Sequence, residues 1–151
     1  MNSLITPNRN LAFAVTASCV MGLLAAAMIG CGDGRPRRVP VSGQVLIDGE
    51  PLTHGQIRLT PANARPATAE IAPDGRFTLT TFDEGDGVVP GVHPVSVAAN
   101  EYLSETRQRW HAPKKYADPT TSGLTATVDG PNDSLVITLS WEGGKPFVEE
   151  D

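Results

Sequence analysis

The chain has 151 residues, a formal net charge of −5 and 40% hydrophobic residues, enough for one domain rather than two. Charged residues (19%) and aromatics (5%) are scarce, while 15 Gly and 13 Pro require frequent turns, which argues against a helical bundle. The acidic balance argues against a nucleic-acid binder, and two cysteines are too few for a disulfide framework or a four-cysteine zinc site.

Residues 11–29 (LAFAVTASCVMGLLAAAMI) carry no charge. Arg9 precedes them, and the small residues Ala25, Ala26, Ala27 and Gly30 crowd their end before Cys31. The pattern reads as an export signal over 1–30, to be set aside before any fold reasoning. The nineteen apolar positions also just suffice for an uncleaved membrane anchor. The run Met28-Ile29-Gly30-Cys31 resembles the bacterial lipobox. That resemblance implies cleavage between Gly30 and Cys31 and acylation of Cys31 with palmitate-type chains on sulfur and nitrogen. Several acyl chains, each buried at about 0.8 kcal/mol per methylene, anchor stably where one is marginal. Cys19 would leave with the signal, so the exported domain would have no disulfide. Residues 31–39 read as a flexible tether with Arg35, Arg37 and Arg38 near the membrane surface. Gly32, not Asp, follows Cys31, so the commonest inner-membrane retention signal is missing and the choice of membrane stays open.

From Val39 onward the hydrophobic period becomes two. Val41, Val45 and Ile47 predict a strand over 41–47, and Asp48-Gly49 a tight turn. Strands over 56–60 and 67–71 follow, the first with Ile57 and Leu59 on one face. Pro73-Asp74-Gly75 predicts a hairpin into a strand over 76–81, with Phe77 and Leu79 inward. After a Gly-rich connection (83–91), a strand over 92–99 turns Val95, Val97 and Ala99 inward. Pro94 donates no ladder hydrogen bond, which predicts a sheet edge there. Residues 100–122 read as the longest irregular stretch, a length that is often functional or mobile. Strands over 124–128 and 134–139, joined by Asp129-Gly130-Pro131-Asn132, close the domain, and 142–151 reads as a frayed acidic tail. The expectation is an all-β fold, a seven-stranded antiparallel β-sandwich over 40–141. Its core would be Val41, Val45, Ile47, Ile57, Leu59, Phe77, Leu79, Val95, Val97, Leu124, Val128, Leu135, Ile137 and Leu139.

Val41-Ser42-Gly43-Gln44-Val45 followed by Asp48-Gly49-Glu50-Pro51-Leu52 resembles the opening strand and turn of the carboxypeptidase-regulatory-like, or transthyretin-like, domain. Pro73-Asp74-Gly75-Arg76-Phe77 is similar to that family's second turn, and Val89-Pro90-Gly91-Val92-His93-Pro94-Val95-Ser96-Val97 to its P-G-x-Y-x-V-x-V strand, with His93 and Pro94 departing from the pattern. With the lipobox, Gly85–Gly91 and Lys115–Leu124 (KYADPTTSGL), the layout resembles small bacterial lipoproteins built on this prealbumin-like fold. The resemblance covers about residues 39–140 and implies a fold, not a catalytic set.

Little of the chain reads as chemistry. Asp83, Glu84 and Asp86 have the oxygen ligands a hard cation takes, but not the EF-hand spacing. His54, His93 and His111 are scattered, with no metal-ligand pair among them, and surface or edge placement suffices for His54 and His93. A G-x-S-x-G nucleophile elbow is missing, and no enzyme activity is expected. The candidate binding loop is 101–116, with Arg107, Arg109, Trp110, His111 and Tyr116, residue types enriched at interaction hot spots. Alternatively, Trp110 and Tyr116 simply pin that loop to the fold. No cofactor is expected. The expected function is that of a non-enzymatic module, tethered to the membrane through Cys31 and facing the periplasm or the exterior. It would contribute structural or adhesive contacts to envelope protein or glycan. The alternative is a periplasmic carrier of a ligand or metal ion on Asp83, Glu84 and Asp86.

Overall fold

β1 (Val41–Ile47) pairs with three other strands and is the centre of the first sheet. The computed structural model describes residues 34–150; the predicted signal helix, Gly30 and Cys31 lie outside the described residues. The chain divides after Arg35, and the second unit, Pro36–Asp151, carries every strand named below. β1 turns through Asp48-Gly49 into β2 (Glu50–Pro51), with Asp48 at φ 49° and Gly49 at φ 90°. That is the left-handed pair a two-residue hairpin requires, and Asp-Gly supplies it at little steric cost. β3 (Gln56–Leu59), β4 (Ala67–Glu70), β5 (Arg76–Thr78) and β6 (Gly91–Ala98) follow. Then come β7 (Asn100–Ser104), β8 (Arg107–Trp110), a 3-10 turn at Lys114–Ala117, β9 (Leu124–Val128), β10 (Asn132–Leu139) and β11 (Phe147–Glu150).

The described residues are mostly β, in three sheets. In the first, β1 lies between β10 on one side and β5 and β2 on the other. In the second, β4-β3-β6-β9 run antiparallel throughout. Alternate residues of both sheets meet in one core, including Val41, Val45 and Leu139 from the first and Ile57, Leu59, Val95 and Val128 from the second. Every residue of the expected core is either buried there or packed against it. The third sheet, β7-β8-β11, lies outside that core cluster apart from its continuation at Ala112 and Tyr116.

Several expectations need correction. β1 and β10 pair in parallel, so the fold is not antiparallel throughout. β9 belongs to the second sheet and β10 to the first, so 129–131 is a crossover, and β10 enters at the same end as β1, where the Asn132 N–H donates to Pro40 O. Pro73-Asp74-Gly75 does close a turn, with the Ala72 N–H donating to Arg76 O at 2.9 Å. Yet the strands it joins diverge: β4 pairs β3 and β5 pairs β1, with one bridge (Thr68 to Thr80) between them. Pro94 lies in an internal strand, not an edge strand. Its backbone faces β3 at Thr60, one residue past the end of that strand, where Thr60 N–H donates to Pro94 O; the missing donor falls where the ladder stops anyway. Residues 100–110 are a hairpin, and the tail returns as β11. The tether ends earlier than expected, because Val39 is buried and exchanges two backbone hydrogen bonds with Val88.

Candidate functional site

β6 runs straight on into β7, so the β7–β8 hairpin leaves the second sheet at the end opposite the Gly91 entry. No Gly or Asn marks its turn. β8 then receives β11 on its other edge. The register sets Asn100, Trp110 and Phe147 side by side, and Tyr102, Gln108 and Glu149 in the row two residues along. Because strand side chains alternate, those two rows share one face. The other face carries Glu101, Arg109 and Val148.

Glu149 organises the first face. Its Oε2 accepts hydrogen bonds from Trp110 Nε1 and Gln108 Nε2, each at 3.1 Å, and Lys114 Nζ lies 2.7 and 2.9 Å from its two oxygens. Asn100 Nδ2 in turn donates to Gln108 Oε1. Lys114 also stands 5.3 Å from the Trp110 ring centroid. The Lys114 contact first, then Trp110, holds the Glu149 carboxyl below the usual range. On the other face Glu101 accepts from His111 Nε2 at 3.1 Å and pairs with Arg109 at 3.5 Å. The His111 hydrogen bond is the main cause of its lowered pKa, ahead of Arg109. His54 joins this group, its Nε2–H donating to Asn100 O, with its ring centroid 5.3 Å from that of His111.

The candidate loop residues therefore separate. Arg107 and Arg109 are exposed and paired with Glu150 and Glu101. Trp110 and Tyr116 are buried, at 7% and 6% exposure, so both rings pin the segment to the fold. Tyr116 OH donates to Ser140 O and accepts from Ser140 N–H at 3.2 Å, tying the 3-10 turn to the end of β10. Tyr116→Phe is expected to cost about 1 kcal/mol through the loss of those bonds, read as a lower urea midpoint with an unchanged m-value.

The acidic loop is committed elsewhere. Asp86 Oδ1 accepts from the Thr81 N–H at 2.7 Å, and Oδ2 from the Phe82 and Asp83 N–H groups at 3.2 Å each. Arg38 Nε lies 2.7 Å from Oδ2, with both side chains only 14% exposed; its N–H is not aimed along the contact, so this is an ion contact more than a linear hydrogen bond. Burial, which would raise the pKa of Asp86, is outweighed by the bonds from Thr81, Asp83 and Phe82 and by Arg38, and the net shift is downward. Arg38 stacks 4.8 Å from the Phe82 ring centroid instead of standing in a solvated tether. Glu84 lines an open polar hollow of about 620 Å³ with Thr68, Glu70, Thr78 and Thr80. Among the described residues, no three His, Cys, Asp or Glu side chains converge as metal ligands. His93, expected at the surface, is buried and bonds Val89 O through Nε2.

Sequence reasoning missed Glu149, Glu101, Gln108 and Asn100. The tail's Phe-Val-Glu-Glu run, with Glu at the third and fourth places opposite Gln108 and Arg107, was the available signal. Comparison with family models, with curated proteins and with solved structures found no match.

Proposed function

We propose that this chain is a membrane-anchored, non-enzymatic envelope lipoprotein with a structural or adhesive role. Its domain would be a transthyretin-like sandwich of seven main strands, β1, β3, β4, β5, β6, β9 and β10. The observation that carries the reading is Met28-Ile29-Gly30-Cys31, which closes the uncharged stretch that begins at Leu11, only eight residues before the packed Val39. Acylated Cys31 would hold the domain close to the bilayer on that short connection.

The layout of the domain supports a presenting role. The chain enters beside Val88, next to the start of β6, and the β7-β8-β11 sheet lies past the other end of β6. An eight-residue strand spans roughly 26 Å at ~3.3 Å per residue, so the third sheet stands well away from the entry point. Its Tyr102 is 76% exposed, an available contact for envelope protein or glycan.

Cys31→Ser is expected to leave an uncut precursor without acyl chains, and a cleaved wild-type protein whose N-terminal mass includes them. Mass spectrometry of the mature N-terminus reads both. A Cys31→Ser protein of the same N-terminus and mass class as wild type, retained in membranes, would establish the spanning anchor instead.

A further inference from the structure

β11 is an edge strand of the third sheet. None of its residues belongs to the core, and Phe147 and Val148 are 40% and 42% exposed. Its grip consists of the ladder with β8, the Glu149 network and an exposed Arg107–Glu150 pair. A short strand held in this way opens locally at low free energy while the core stays shut. Opening would strip Trp110, Gln108 and Lys114 of the carboxylate they share and leave β8 with a bare edge, a template for another strand.

The connection to β10 supplies a hinge. Gly144 N–H donates to Trp141 O at 2.9 Å, closing a tight turn that holds Glu142 at φ 53°. A glutamate in the left-handed region is strained, and straightening the turn relieves it. The seven residues between β10 and β11 would then reach up to ~24 Å at ~3.4 Å per residue. Strained hinges favour exchange of the element they carry.

We propose that β8 is a strand-acceptor edge, and that β11 of one copy docks on β8 of a second copy to give a two-fold, reciprocally exchanged dimer. The occupant is specified by the fit already in place. Phe147-Val148-Glu149-Glu150 sets one carboxylate against Trp110 and Lys114 and another against Arg107. A second copy offers the same segment and the same acceptor, so both halves of a symmetric pair are satisfied together. Anchoring through Cys31, as proposed above, would raise the effective concentration of neighbouring copies, but the exchange itself does not depend on it.

The test is a charge-swap mixture of two full-length variants in detergent, Lys114→Glu and Glu149→Lys. Alone, each opposes like charges across the clasp, whether closed on itself or exchanged. Mixed, each acceptor edge receives a strand of opposite charge. Native mass spectrometry, with one variant isotopically heavy, is expected to show heterodimer at least ten-fold in excess of either homodimer. A mixture that remains monomeric overturns the proposal. The hinge gives a second arm: Glu142→Pro cannot adopt the turn and is expected to raise the dimer fraction, while Glu142→Gly relieves the strain and lowers it. Equal dimer fractions in those two variants also count against exchange. Repeating the mixture on a Cys31→Ser background separates the two readings, since pairing is expected there whether or not anchoring holds.

Discussion

Gly43→Ala is expected to lower the stability of the domain by about 3 kcal/mol or more. Gly43 lies at an irregularity in the β1–β10 ladder, opposite Leu135. A Cβ there would run into the carbonyl oxygen and carbon of Leu135. Backbone held in a ladder cannot rotate aside as a side chain can, and β1 is fixed on its other edge by the Gly43–Phe77 pairing with β5. The strain must therefore separate the two strands or bend the sheet. Against a total of about 5–15 kcal/mol for a domain, that is a large loss. Urea denaturation at neutral pH measures it. Gly130→Ala is the control, since nothing lies within 4 Å of its added Cβ; its change is expected to stay within about 0.5 kcal/mol. Equal midpoints for the two variants would show that β1 and β10 do not approach so closely.

Asp86→Asn is expected to cost about 2–4 kcal/mol at neutral pH, because a half-hidden carboxylate is the shared acceptor of three backbone N–H groups and the partner of Arg38. The amide keeps the shape, loses the charge and turns an N–H₂ toward donors. The loss should depend on pH in a definite direction. The folded-state pKa of Asp86 lies below its ordinary value of 3.8, so unfolding takes up a proton in acid. The charge contribution is full above that ordinary value and disappears as the pH falls through the lower folded-state value. Wild type and variant should thus converge in urea midpoint as the pH drops below about 4. A gap that stays constant from neutral pH into acid would assign the cost to packing instead of charge.

The fold was legible where hydrophobic period and turn chemistry act together. Ile57/Leu59, Val95/Val97 and Ile137/Leu139 alternate cleanly, and all of these residues are buried. What periodicity does not encode is which sheet a strand joins. The turn at Pro73-Asp74-Gly75 is local, but β5 leaves it to pair with β1, about thirty residues earlier in the chain. The β7–β8 hairpin was hidden for a different reason. Its strands carry Glu101, Gln108 and Arg109 where apolar residues would alternate, and Trp110 is their one buried hydrophobic side chain. Trp110 and Tyr116 were visible as candidates, yet their role as anchors follows from burial, which one-dimensional composition does not report. The acidic run 83–86 was conspicuous for charge, but Asp86 is taken up by the backbone N–H groups of Thr81, Phe82 and Asp83, and its ion partner, Arg38, lies nearly fifty residues away.

The parallel ladder between β1 and β10 also orders events in time. Val41 meets Asn132, some ninety residues downstream, so the first main strand waits for almost the last before its edge is closed. Contacts of such sequence separation make assembly slow, on the millisecond-to-second scale of β-rich domains. During biosynthesis the first sheet consequently stays without its closing ladder until β10 has been made.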